Sequence, residues 1–313
     1  MFNPAVAENL KVFAEMKNTP EAIYAMPVSM NQGVLIYNKE VFDKFDVPYP
    51  EEGMTWNEVI ALGEKVTGNK DGIDYIGLDA TGARVLTRPK GLSSVDENGE
   101  ININTDPGYK EIFEMLNGLY NIPGIVDHSG ELYTYGMDFF MKERRLAMFP
   151  YWLINVNSRI PIMEETGIEW DITTFPSFED APGLGREVDY HVLAVPETAE
   201  NRDAALRLLE EVVSDEVQTY LSEDVARLTV LDNDEIRNTY AASSGAFEEK
   251  NLEAVLKSEA APGPRPTIYD RDIYTVLDEI QRKIALEGID VNTALREGQE
   301  EAEDLKIEID QNR

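Results

Sequence analysis

No cysteine occurs in the 313 residues, which removes disulfides, thiol nucleophiles and cysteine-ligated metal sites together. Histidine is nearly as scarce. His128 and His191 are the only two, they stand far apart, and they match no metal-ligand spacing, so the sequence predicts neither a metal centre nor histidine catalysis. Cations are also short: 28 lysines and arginines face 60 aspartates and glutamates, a formal charge of -32. Nucleic acid and anionic membranes both require clustered cations, and neither is expected as a partner. No apolar run reaches the roughly 18 residues of a membrane span. The opening MFNPAVAENLKVF has neither the basic start nor the apolar core of a secretion signal. Phosphate-binding loop, dinucleotide fingerprint and nucleophile elbow are all missing, and no cofactor is expected.

What is present is an alternation of helices and short strands, the pattern of an α/β protein, in a chain long enough for two domains. Residues 5–17 predict a helix with Val6, Leu10, Phe13 and Met16 on one stripe. Asn38 is placed to cap a short helix through Phe45. Thr55 and Glu58 form a capping box ahead of the apolar face Val59, Ile60, Leu62 and Val66. Residues 75–78 read as a buried strand, with Asp79 opening the loop at its carboxyl end. Asn98-Gly99 predicts a hairpin turn, and Asp106-Pro107 a helix burying Tyr109, Ile112, Phe113, Leu116 and Leu119. Further strands are predicted at 146–149, 170–174 and 191–196, the last ended by Pro196. Asn201 and Ser214 start helices, residues 258–266 read as a linker, and two long helices close the chain.

Several segments resemble, in order, the extracellular solute-binding proteins of ABC importers, family 1, the group that includes maltodextrin-binding protein. They are AMPVSMNQGVLIYNKEVFDKF, TWNEVIALGEKVTG, KERRLAMFPYW, YHVLAVPETAENRDAALRLLEEVVSDEVQTYL and GIDVNTALREGQEEAEDL. Together they cover the chain from about Ile23 onward. Two departures stand out: Glu143-Arg144-Arg145 replaces the family's glycine before Ala-Met, and no Gly-x-x-Pro follows Arg227.

The resemblance implies a type II periplasmic-binding-protein-like fold, two discontinuous lobes joined by crossover strands. Residues 1–30 and 195–261 would form the N-terminal lobe, 33–193 and 262–313 the C-terminal lobe, with crossovers at 31–32 and 194. Family members open with a signal, often a lipid-accepting cysteine, and a further βαβαβ portion of the first lobe. Nothing here matches those parts, so an N-terminally truncated reading of a longer precursor is expected, its first lobe left with exposed apolar surface and sheet edges, the alternative being a divergent, shorter member.

The same resemblance implies an extracytoplasmic, non-enzymatic protein that binds a solute, a sugar by expectation, between the lobes and passes it to ABC permease subunits. A sugar site needs flat aromatics for C–H faces and amides, carboxylates or arginine for hydroxyl edges. Asn31 and Gln32, a polar break in an otherwise apolar crossover, are the first candidates; their alternative is a pair of solvent-facing amides. Trp152 resembles the family's stacking aromatic, with Tyr151 beside it, and its alternative is a core tryptophan. Asp189 and Tyr190 precede the second crossover, and Asp79 lies where α/β sheets place ligands. Trp56 and Trp170 read as core. The rival functions are a glycosidase using paired carboxylates and a surface interaction protein without solute binding.

Overall fold

The computed structural model describes residues 1–20 and 22–312. Local capping signals set most of the helix starts. Asn3 accepts from Ala5 N at the head of the Pro4–Met16 helix, and Asn38 from Glu40 N at the head of Lys39–Phe45. Both bonds of the Thr55–Glu58 capping box form ahead of Trp56–Lys65. Asp106 caps Pro107–Tyr120, whose five expected inward residues are all buried. One expected stripe fails: Phe13 is 39% exposed, because the Pro4–Met16 helix buries Val6 and Ala14, and Phe13 packs edge-on against Tyr24 on the outside.

The strands, in chain order, are β1 Met26–Asn31, β2 Gly33–Asn38, β3 Gly68–Lys70, β4 Ile73–Leu78, β5 Leu146–Trp152, β6 Trp170–Thr174, β7 Leu184–Glu187, β8 Asp189–Leu193 and β9 Glu259–Ala261. Five of them form one sheet in the order β3-β4-β5-β2-β6, with β4 and β5 parallel and β2 antiparallel to both its neighbours. Strand β2 is buried throughout, as an interior strand of a sheet covered on both faces should be. Trp56, 1% exposed, packs edge-on against Phe175 in this core. The helices Asp270–Arg282 and Val291–Gln311 return to it: Gln281 reaches Thr81, Ala83 and Tyr120, and Gln299 donates to Ile101 O.

A separate two-stranded sheet pairs β1 with β8. Around it gather the Pro4–Met16 helix, through Tyr190 to Asn9, and Gln218, which donates to Val28 O. Here apolar side chains face outward: Val192, Leu193, Leu206 and Leu208 are exposed, and the Arg202–Val212 helix buries none of its residues.

The chain therefore steps from the two-stranded sheet to the five-stranded one at Gln32, between β1 and β2, and returns to the former at Val188, between β8 and β7, which pairs with β9 in a sheet of their own. Strand β8 pairs with β1 from Asp189 to Leu193. The expected linker at 258–266 contains β9, which runs parallel to β7. Gly33 is required by the first step. A Cβ there would collide with Cβ of Arg186 and crowd the Phe175 ring, so only glycine lets the two crossing segments lie this close.

Candidate functional site

A cavity opens where β4 ends and β5 continues. The parallel register runs Ile76 with Leu146 and Leu78 with Met148, and then stops. Beyond it Asp79 N donates to Met148 O at 3.2 Å, and the chain turns away. Strand β5 goes on through Pro150 to Trp152, paired only with β2, where Trp152 sits opposite Gly33. Pro150 falls past the end of β4, so its missing N–H removes no ladder bond. This vacated flank, at the carboxyl ends of two parallel strands, is where α/β sheets expose ligand sites.

The cavity encloses about 620 Å³. Tyr133, Tyr135, Phe149, Tyr151 and Trp152 give it flat apolar walls, while Thr81, Asn155 and Gln281 contribute hydroxyl and amide groups. Arg84, Arg186 and Asp278 add charge to the lining. Burial raises the Asp278 carboxyl above its ordinary value, with Arg84 opposing.

Of the residues singled out in the sequence, the fold brings Asp79, Tyr151 and Trp152 together here. Trp152 is half-buried and carries the Arg186 guanidinium 3.9 Å from its ring centroid, so one face already has a cationic partner. Arg186 is itself 9% exposed. Burial pulls its pKa below the ordinary guanidinium value, opposed by the neighbouring Glu187. Tyr151 leans on Phe149, ring centroids 5.2 Å apart.

Asp79 is held on both carboxylate oxygens by backbone donors. It is 1% exposed, one oxygen accepts from Thr81 N at 2.7 Å, and the other accepts from Tyr135 N at 2.6 Å and Gly136 N at 2.8 Å. Burial pushes this carboxyl up and the three backbone donors pull it back. The carboxylate is a tie that holds the 133–136 segment, with its two tyrosines, against the cavity.

Asn31, Gln32, Asp189 and Tyr190 lie outside that lining. Asn31 is 4% exposed; it donates to Asp189 Oδ2 at 3.3 Å and accepts from Gln32 N and from Ile154 N, at the head of the Leu153–Thr166 helix. It joins β1, β8 and that helix. Tyr190 donates to Asn9 Oδ1 at 2.7 Å. Gln32 is buried and turns toward Arg237.

Sequence reasoning missed Tyr133, Tyr135, Arg186 and Gln281. Gln281 did carry a signal: it interrupts the apolar stripe Ile273, Val276, Leu277 and Ile280, and a polar residue on a buried face needs partners. It finds three, accepting from Ala83 N at 2.6 Å and donating to Thr81 O and the Tyr120 hydroxyl.

A family model described as bacterial extracellular solute-binding protein matches residues 2–219. No curated protein matches the sequence. Among solved structures, a sugar transporter from Rhizobium etli in an open conformation superposes with a TM-score of 0.73 at 21% identity, over 94% of this chain and 76% of its own. An ABC substrate-binding protein from Listeria monocytogenes in complex with cycloalternan gives 0.67 at 19% identity, over 90% and 71%. A maltose-bound protein of T. maritima gives 0.62 at 17% identity, over 97% and 76%. The shared architecture is the periplasmic-binding-protein-like α/β fold.

Proposed function

The chain belongs to the bacterial extracellular solute-binding protein family, and from that premise we propose that it binds a carbohydrate against Trp152 and Tyr151 and delivers it to a membrane permease of an ABC importer. The observation that carries this reading is the cavity at the free end of β5, where tyrosine and tryptophan rings stand among amide, hydroxyl and guanidinium groups. Sugars offer apolar C–H faces to the first and hydroxyl edges to the second. The similar structures from Listeria and T. maritima, described with cycloalternan and maltose bound, support the same class of solute.

In the proposed mechanism the two lobes divide at the steps between sheets, Gln32 and Val188. The elements around β1 and β8 make one lobe; the five-stranded sheet with the C-terminal helices makes the other. Solute binds the open form, and closure is favoured because only the closed form touches it from both sides. The permease then recognises the closed, loaded form outside the cytoplasm. Hydrolysis finds less support. Asp79 and Asp278 are the carboxylates of the lining, and a pair acting on a glycosidic bond needs both free, whereas Asp79 is committed to three backbone donors.

Isothermal titration of the folded chain with maltose, mannotriose and cycloalternan tests the proposal. Saturable heat with at least one of them, and no sugar cleavage in the recovered sample, is expected. Absence of heat with a wide oligosaccharide panel, or release of reducing ends, overturns it.

A further inference from the structure

Two charged groups of the Trp152 cavity, Asp278 and Arg84, make no side-chain hydrogen bond or ion pair among the described residues. Their neighbours in the lining are engaged. Gln281 holds Ala83 N, Thr81 O and the Tyr120 hydroxyl, Arg186 lies on Trp152 and pairs with Glu187, and Asp79 accepts from three backbone donors. Asp278 stands three residues before Gln281 on the Asp270–Arg282 helix, so the two project from adjoining positions of one helix face into the same space.

Asp278 is open to solvent, yet the cavity walls crowd its carboxyl enough to raise its pKa above the ordinary value. The Arg84 charge opposes that rise without closing an ion pair, and Tyr133 feels the same carboxylate from the 133–136 segment. Gly82 leaves the carboxylate its place. A Cβ added there would stand 3.0 Å from Asp278 Oδ1, and the φ of Gly82 is not positive, so the backbone conformation itself does not call for glycine. A raised carboxyl pKa means that the ionised form costs the fold stability, so this acid is not there to hold the helix in place.

An ionised carboxylate only accepts hydrogen bonds, and its two oxygens can each take one from hydroxyls on adjacent carbons of a sugar ring. We propose that Asp278 is a specificity-determining hydroxyl acceptor of this site, taking hydrogen bonds from two adjacent hydroxyls of one sugar ring and so selecting solutes that present such a pair. Arg84, which only donates, serves the lone pairs of the same hydroxyls. The inference rests on the carbohydrate reading of the cavity, and the experiment separates the failure of one from the failure of the other.

The test is calorimetric titration of wild type, Asp278→Ala and Asp278→Asn with maltose, mannotriose and cycloalternan, extended to the wide oligosaccharide panel where none of these gives heat, alongside urea unfolding of each protein at neutral pH. For a sugar that binds wild type, Asp278→Ala should weaken binding by about ten- to hundredfold, because hydrogen bonds to a charged acceptor are lost; Asp278→Asn should weaken it less, because its amide oxygen still accepts from one hydroxyl. Both variants should unfold at urea concentrations no lower than wild type, a combination that a structural carboxylate does not give. Gly82→Ala, which presses on Oδ1, should weaken binding in wild type and add nothing in Asp278→Ala. An Asp278→Ala affinity within about twofold of wild type, or a fall in affinity matched by a fall in urea midpoint, overturns the assignment and leaves carbohydrate binding standing. Absence of wild-type heat across the whole panel overturns the carbohydrate reading and this inference with it.

Discussion

Replacing Asp79 by alanine strips the acceptor from three backbone N–H groups at once, those of Thr81, Tyr135 and Gly136, in a site that is 1% exposed. Each orphaned buried donor costs about 1–3 kcal/mol, partly offset because the carboxylate no longer has to be desolvated, so a net loss of about 3–5 kcal/mol is expected. Asp79→Asn keeps the shape and one acceptor oxygen. That oxygen can serve Tyr135 and Gly136 while the new NH₂ faces the Thr81 donor, for a smaller loss of about 1–3 kcal/mol. Urea unfolding followed by far-ultraviolet circular dichroism reads both variants, with the midpoint moving and the slope unchanged. The tie also sets the position of Tyr133 and Tyr135, so at temperatures where Asp79→Asn remains folded its sugar affinity should still fall. An Asp79→Ala unfolding free energy within about 0.5 kcal/mol of wild type would refute the account, since it would mean that the three donors find other acceptors.

Two further perturbations read other parts of the same site. Gly33→Ala places a Cβ against Arg186 and Phe175; overpacking of this kind costs about 1–3 kcal/mol. It should also lift Arg186 off Trp152 and change tryptophan emission, whereas wild-type stability with unaltered emission would show that the crossing segments have room to part. At Asp278 burial raises the carboxyl above 3.8, so the fold prefers its protonated form. The stability it confers is greatest below the unfolded value and is lost as pH rises through the folded one. Between about pH 3 and 6 the urea midpoint of Asp278→Asn should therefore gain on wild type as pH increases, and a gain on acidification would contradict the sign.

The parts of this molecule legible in its sequence are those governed by neighbours in the chain. Thr55 and Glu58, Asn38, and Asp106 with Pro107 act within one helical turn, and each forms the cap its spacing implies. The polar break at Asn31-Gln32 was legible as an interruption, and it is the step between two sheets. Its facing was not, because Asp189 and Arg237 arrive from distant segments and decide where each amide points. Trp152 and Tyr151 could be singled out, yet the Arg186 cation on Trp152 depends on the crossing at Gly33. Asp79 was found for its position at a strand's carboxyl end, but its backbone partners were not legible. The donors that occupy it at Tyr135 and Gly136 belong to a loop whose location no local pattern reveals.

The central claim, that the Trp152 cavity holds the solute, is most directly tested by tryptophan fluorescence during oligosaccharide titration. Of the three tryptophans, Trp56 and Trp170 are buried at 1% and 6% exposure, and Trp152 alone lines the cavity. A saturable emission change is predicted for at least one sugar, abolished in Trp152→Phe while the circular dichroism spectrum stays that of wild type. An emission change that survives in Trp152→Phe, or none in the folded wild type with any sugar tried, would contradict it.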